Sequence, residues 1–177
     1  MSIDKIFFSI VMPLMLSLCV WLSACNKGDD FPQAPAGQFA ISVNGTDYTG
    51  TMLGLKGENY FPNIDADEIL TLTGLSTQDT LALTIILDGP FDPHTEELRN
   101  LDAGQNQPIA ASVAILLIGT RVGANSKSGS ITITDISNGG NGANFVSGNF
   151  EFEGENDFDK TETVRVQGSF KDIIYAE

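Results

Sequence analysis

Apolar and polar residues alternate with a period of two along most of the chain after residue 38. A strand with one buried and one solvated face produces this pattern, because successive side chains point to opposite faces of a sheet. The alternating runs lie at residues 39–43, 70–73, 81–87, 131–134, 146–153 and 164–170. We predict a strand at each of them.

Turn signals separate these runs. The dipeptide Asn44-Gly45 follows the first run, and it is a strong hairpin signal because both central residues of a type I′ turn need a positive φ. Pairing across this turn would place Ile41 opposite Tyr48. Residues 76–79 predict a second turn, and Asp88-Gly89-Pro90 ends another strand.

Two segments depart from the alternation. Residues 109–118 are continuously apolar, rich in β-branched side chains and bounded by Pro108 and Gly119. This favours a central strand covered on both faces, with a helix as the alternative. Asp92-Pro93 would cap one helical turn over residues 94–99, because Asp suits the N-cap and Pro suits the first helical position.

The last two runs predict the hairpin that ends the domain. Placing both apolar rows on one face fixes the parity of the pairing, and Arg165 should lie opposite an acidic residue. The predicted pairs are Glu151 with Arg165, Phe150 with Val166 and Gly148 with Gly168, around a loop at residues 154–162.

These patterns amount to about eight short strands, closely spaced turn signals and no helix of three turns. We therefore predict a single all-β domain over residues 39–177. An antiparallel β-sandwich of about eight strands is the first expectation, and a closed or partly closed β-barrel is the alternative.

The N-terminus carries a different pattern. Residues 6–21 form an apolar run behind Lys5, and the following Leu22-Ser23-Ala24-Cys25 resembles a bacterial lipobox. The run is short for a transmembrane span, which needs ~20 apolar residues. We predict a lipoprotein signal peptide at residues 1–24 and lipidation of Cys25 as the new N-terminus. A secreted chain with a free Cys25, or an N-terminal membrane helix, is the alternative.

Residues 25–38 begin with the cysteine that we predict to be lipidated. We predict that the rest of this segment is a flexible tether, because it contains prolines and glycines. Asn26 is not the aspartate that marks inner-membrane retention, and Lys27-Gly28-Asp29-Asp30 resembles the acidic export signal of some bacteroidete lipoproteins. Alternatively, Asp29 and Asp30 only solubilise the tether. We expect a lipid anchor in the outer membrane at the cell surface, with the periplasmic face as the alternative.

Several strand segments resemble a family of bacteroidete lipoproteins of unknown function. They are residues 39–45, 129–134, 146–152 and 164–170, and the resemblance covers roughly residues 38–175. Its motifs are alternating strands and glycine positions, and family members often have Trp where Tyr48 stands. The resemblance implies an all-β, secreted, lipobox-anchored protein, and it supplies neither an activity nor catalytic residues.

The charge balance narrows the possible partners. The chain has 23 acidic and 9 basic side chains and a net charge of −14. Residues 1–24 hold one of each, Asp4 and Lys5, so the predicted mature chain keeps the same net charge. Phosphate backbones are bound by clusters of Lys and Arg, and we therefore predict no nucleic-acid partner. Cys19 would leave with the signal peptide, so no disulfide is expected.

The chain carries no catalytic signature. His94 is its single histidine, flanked by Asp92, Glu96 and Glu97, and we predict a solvated loop residue. No G-x-S-x-G motif is present to supply a nucleophile. Paired carboxylates could serve a glycosidase, but in so acidic a chain some pair meets that spacing by chance. We predict no catalytic residues and no enzyme activity.

Three acidic clusters are candidate calcium ligands, because calcium takes 6–8 oxygen ligands. They lie at residues 65–68, 88–97 and 151–162, and none matches the EF-hand loop. In the third cluster the acids alternate with other residues, as on an exposed strand face that runs into a hairpin. We predict solvated faces, no metal site and no cofactor.

Three classes of function remain. The first expectation is a non-enzymatic binding or interaction module on the cell envelope, with an unknown protein or glycan partner and with its contacts on loops. The second is a small-ligand carrier with a pocket inside a barrel, which a large cavity would favour. The third is an accessory subunit of an outer-membrane assembly, which a wide exposed apolar patch would favour.

The lipobox interpretation is testable at Cys25. Cys25→Ala should abolish both lipid attachment and cleavage before residue 25, because diacylation needs the thiol. Metabolic labelling with a palmitate analogue, followed by mass determination of the purified chain, measures both events. Label retained in the variant would contradict the interpretation.

Overall fold

The computed structural model describes residues 31–58, 67–89, 91–99, 111–139 and 143–176. Within these ranges it contains ten strands: β1 (Gln38–Val43), β2 (Thr46–Glu58), β3 (Glu68–Ser76), β4 (Leu81–Asp88), β5 (His94–Glu97), β6 (Ala111–Leu117), β7 (Val122–Asn125), β8 (Ser128–Gly139), β9 (Ala143–Asn156) and β10 (Asp159–Ala176). A 3₁₀ turn at Gln78–Thr80 precedes β4. The predicted signal peptide, Cys25 and residues 26–30 lie outside the described ranges.

All ten strands belong to one sheet, in the order β5-β8-β9-β10-β1-β2-β3-β4-β6-β7. Neighbours in this order run antiparallel, and a short parallel contact joins the end of β10 to β2 at Tyr175 and Gly54. The sheet curls into a half-barrel, which agrees with either a sandwich or a partial barrel. The prediction of an all-β, antiparallel fold is confirmed. None of the described segments is a helix of the length and apolarity that crossing a bilayer demands.

The two ends of the curled sheet are tied to each other. Leu98, just after β5, forms a bridge with Ala111 at the start of β6. The buried Ser126 hydroxyl donates to the carbonyl of Arg99 at 3.1 Å. Near the other end of β7, the Asp157 N–H donates to the Gly123 carbonyl at 2.7 Å. These bonds satisfy backbone groups that an open sheet edge would leave for other chains.

The inner face of the sheet forms the hydrophobic core. Its largest fully buried side chains include Phe39, Phe150 and Phe170. The alternating leucines predicted in β3 and β4 point inward as expected, with Leu72 and Leu83 fully buried. Burial of apolar area on this scale is the main driving force for folding.

The first hairpin forms as its sequence predicts. Asn44 and Gly45 both have positive φ, at 50° and 84°, which is the geometry of a type I′ turn. Ile41 lies opposite Tyr48, so the predicted pairing is confirmed.

The last hairpin is antiparallel with both apolar rows on one face, as predicted, but its register is shifted by two residues. Arg165 lies opposite Glu153 rather than Glu151, and Val166 lies opposite Phe152. The loop between the two strands is shorter than predicted, because β9 reaches Asn156 and β10 begins at Asp159. Charge could not select the register, since Arg165 meets a glutamate in either one.

Two further predictions are wrong in part. Residues 94–97 form strand β5 instead of a helical turn, because β8 offers an unpaired edge to which Thr95 also bonds, its hydroxyl 2.9 Å from that of Thr132. An isolated helical turn gains little by comparison. The apolar run is strand β6, as expected, but it is not covered on both faces: Leu116 and Ile118 are exposed.

Contacts with the domain begin before residue 39. Residues 35–38 form a turn in which the Gln38 N–H donates to the Pro35 carbonyl at 3.1 Å. The Ala34 N–H then donates to the Ser169 hydroxyl of β10 at 3.0 Å, and that hydroxyl also donates to the Pro32 carbonyl. The last part of the predicted tether is therefore hydrogen-bonded to β10.

The inner glycines should resist substitution where a ring fills their space. A Cβ at Gly148 would stand 2.5 Å from the Thr132 carbonyl oxygen and 2.6 Å from the Phe170 ring. Gly148→Ala should therefore lower the free energy of unfolding by ~1–3 kcal/mol through overpacking. Urea denaturation measures the change. Gly57→Ala in β2 is the control, because its Cβ would meet nothing within 4 Å, and an equal loss there would contradict the argument.

Candidate functional site

A groove of about 700 Å³ lies on the outer face of the sheet, across β1, β10, β9 and β8. Its lining comes from the turn between β1 and β2 and from outward positions of these four strands. The lining residues are Ser42, Asn44, Gly45, Ser128, Gly129, Glu151, Phe152, Glu153, Arg165, Val166 and Gln167. The volume is within the range of small-ligand sites.

Strand register arranges the polar side chains of the groove in two rows. The first row runs Ser42, Gln167, Glu151 and Ser130, and the second runs from Asn44 through Arg165 and Glu153 to Ser128. Side chains directly opposite on one face of a sheet stand ~4.5–5.5 Å apart at Cβ. Each row therefore offers hydrogen-bonding groups at regular intervals across four strands.

The second row contains an ion pair. Arg165 Nε lies 2.8 Å from Glu153 Oε1, and the two side chains are 77% and 52% exposed. A pair this exposed contributes little to stability, so both groups can turn to a ligand at low cost. Asn44 holds the backbone beneath them, since its Oδ1 accepts the Arg165 N–H at 2.8 Å and its own N–H donates to the Arg165 carbonyl at 2.9 Å.

The first row combines a carboxylate with neutral groups. Glu151 lies between Gln167 and Ser130, and Ser42 is buried at the far end of the row. A carboxylate only accepts hydrogen bonds, whereas amides and hydroxyls both donate and accept. Together with the guanidinium of Arg165, the groove can hold and orient a ligand that carries several polar groups. Its lining contains no histidine or cysteine.

His94 lies outside the groove, and its predicted place on a solvated loop is wrong. It is part of β5, and its ring is 3.5 Å from Asp92 Oδ1 and 3.4 Å from Glu96 Oε1. The neighbouring Asp88 is partly buried. Burial, and then the Glu96 carboxylate, raise the pKa of Asp88 to about 6, against an opposing effect of His94.

The first and third acidic clusters of the sequence, at residues 65–68 and 151–162, also lie outside any group of side chains that could hold a metal ion, as far as their residues are described. The first lies partly outside the described residues, and its Glu68 pairs with Lys56 at 3.0 Å. In the third, the glutamates of β9 occupy an exposed outer face, as predicted, and Lys127 hydrogen-bonds Glu155 and lowers its pKa. Among the described residues, no three His, Cys, Asp or Glu side chains are grouped so that they could hold a metal ion.

A second surface feature lies on the outer face of β2, β3, β4 and β6. We call it the apolar face. Its three rows are Thr51-Leu75-Ala82-Leu116, Leu53-Thr73-Thr84-Ala114 and Leu55-Thr71-Ile86-Ser112. None of these positions is charged, and Leu53, Leu55 and Leu75 are each more than 60% exposed. Exposed apolar patches of this kind mark interaction surfaces.

Comparison with protein-family models, curated proteins and solved structures finds no match for this chain. The resemblance to bacteroidete lipoproteins therefore stays a proposal. The sequence did not identify either surface, because each one joins outward residues from four strands. Strand order and register, rather than any motif, bring those residues together.

The raised pKa of Asp88 predicts a pH-dependent stability. The ordinary value in an unfolded chain is ~3.9, so the folded state binds more protons between that value and about 6. Stability therefore falls as the pH rises through this window, and the loss persists above it. Asp88→Asn should raise the melting temperature at pH 8 and change it little at pH 4. Thermal denaturation at the two pH values measures this, and equal shifts would contradict it.

Proposed function

We propose that this protein is a non-enzymatic binding module of the cell envelope, anchored in the outer membrane by lipid on Cys25. The observation that carries the proposal is the polar groove across β1, β10, β9 and β8. The lipobox-like Leu22-Ser23-Ala24-Cys25 supports the anchor. As a member of the bacteroidete lipoproteins it resembles, the protein would act at the cell surface, or alternatively at the periplasmic face.

The chemistry of the groove favours binding over catalysis. Glu151, Gln167 and the Arg165–Glu153 pair present planar groups that form two hydrogen bonds each. An acid–base catalyst needs a group with a perturbed pKa in its site. Among the residues that the structure describes, the carboxyl with the most raised pKa is Asp88, and it is not in the groove lining. The ligand class that fits is extended and polar, such as a glycan or a peptide segment.

A second candidate is an accessory subunit of an outer-membrane assembly, and the apolar face favours it. Large aliphatic side chains project from a charge-free surface on a chain whose net charge is −14. A monomeric protein gains nothing from this arrangement, whereas a subunit would bury it against a neighbour. The groove and the apolar face lie on different strands, so the two functions can coexist.

The binding proposal is testable at the groove. The full-length protein in detergent is applied to a glycan array and to a peptide array, and the affinity for any bound probe is measured. The double change Glu151→Ala with Gln167→Ala should weaken binding by about tenfold or more, because it removes a charged and a neutral hydrogen-bonding group.

Lys171→Ala is the matched control, since Lys171 lies on the outer face of β10 beyond the groove lining. It should change the affinity by less than about twofold. The proposal is contradicted if no probe binds, or if binding is indifferent to the groove variant.

A further inference from the structure

Side chains of different size stand next to one another in the rows of the apolar face. In its first row, Leu75 and Leu116 project while Ala82 between them is partly covered. In its second row, Leu53 projects and is followed by Thr73, Thr84 and Ala114. In the third row Ile86 and Ser112 are already buried within the chain. The first two rows, together with Leu55 of the third, are therefore the accessible part of the face.

We propose that the apolar face is a dimer interface with a second copy of this chain. The two copies would pack face to face about a twofold axis that runs parallel to the strands, between β3 and β4. Such an axis places β2 opposite β6 of the second copy and β3 opposite β4. It also places each row of one copy opposite the same row of the other copy. Sheets packed face to face lie ~10 Å apart, with an angle of about −30° that comes from their twist.

This axis pairs every large side chain of the two rows with a small one. In the first row, Leu75 faces Ala82 of the second copy and Leu116 faces Thr51. In the second row, Leu53 faces Ala114, while Thr73 faces Thr84. Because the axis is twofold, each pairing occurs twice, as an isologous interface requires. Alternating large and small residues across a packed layer is what allows close packing.

The other in-plane twofold axis, perpendicular to the strands, places each strand opposite its own copy. If it passes through the second row, Leu53 meets Leu53 of the second copy, and large side chains collide. If it passes between the first two rows, large again faces small, but the third row is then placed opposite the turn at Gln78–Thr80. The axis parallel to the strands pairs all three rows, and it alone brings Leu75 opposite Ala82.

Charge explains why a second copy fits this face. Each chain has a net charge of −14, so two copies repel each other wherever their acidic surfaces approach. The three rows carry no charged residue, and pairing through them buries no like charges. Association through the groove side would instead bring glutamates of both copies together.

The area of the face indicates a weak dimer. Four strands at ~4.8 Å spacing and two or three rows at ~6.8 Å give roughly 260–390 Å² of projected area per copy. Stable interfaces bury about 800 Å² per partner. Free copies should therefore associate at high concentration only, and anchoring on one membrane, which rests on the proposed function, would raise their effective concentration.

A size swap tests the proposed pairing. Self-association of the full-length protein in detergent is measured by sedimentation equilibrium. Ala82→Leu should weaken it by about tenfold or more, because two leucines then collide. Adding Leu75→Ala in the same chain should restore the association to within about threefold of the wild type, since the small residue again faces the large one.

The control is Ala82→Leu combined with Leu116→Ala. Within one chain Leu116 neighbours Ala82 just as Leu75 does, but across the proposed axis it faces Thr51. This variant should stay as weak as Ala82→Leu alone. Equal behaviour of the two double variants would overturn the proposal, and so would a wild type that stays monomeric at millimolar concentration. The assay needs neither an anchor nor a groove ligand, so its outcome is separate from that of the proposed function.

Discussion

The curled sheet depends on the packing of an aromatic ring over a glycine of the neighbouring strand. Phe39 lies opposite Gly50, Phe150 opposite Gly168 and Phe170 opposite Gly148. A Cβ at Gly50 would stand 2.5 Å from the Phe39 ring, and one at Gly168 would stand 3.0 Å from the Phe150 ring. The rings occupy the volume of the missing side chains, and a glycine at each of these positions is what allows the close approach.

The same pairs decide which polar side chains meet on the outer face. Pairing Phe150 with Gly168 places Glu151 opposite Gln167 on the outer face, in the first row of the groove. The same register places Glu153 opposite Arg165 in the second row. A slip of two residues would keep the alternation of faces but would place a glycine opposite a glycine. Core packing therefore selects the arrangement of the groove, although no groove residue contributes its polar group to the core.

Alternation was enough to predict the first hairpin and the buried faces of six strands, because each depends on neighbouring residues; these strands are β1, β3, β4, β8, β9 and β10. Strand β7 lies outside the predicted runs. The register of β9 and β10 was not predictable from charge, since Arg165 meets Glu153 in the true pairing and would have met Glu151 in the expected one. Strand β5 was missed because its partner, β8, is more than 30 residues away in the chain. The groove was missed for the same reason: Ser42, Glu151 and Gln167 are ordinary outward residues until three strands align.

Charge and apolar exposure counteract each other in this chain. Leu53, Leu55 and Leu75 would promote association of any protein that exposed them. The net charge of −14 opposes it, since a large charge of one sign keeps chains apart and soluble. The acids are absent from the three rows of the apolar face, whereas Glu151 and Glu153 line the groove. In the proposed dimer, long-range repulsion would limit association between free chains, while short-range packing of two apolar faces would favour it. Association under such a balance depends on local concentration, which is the quantity that the proposed membrane anchor would change.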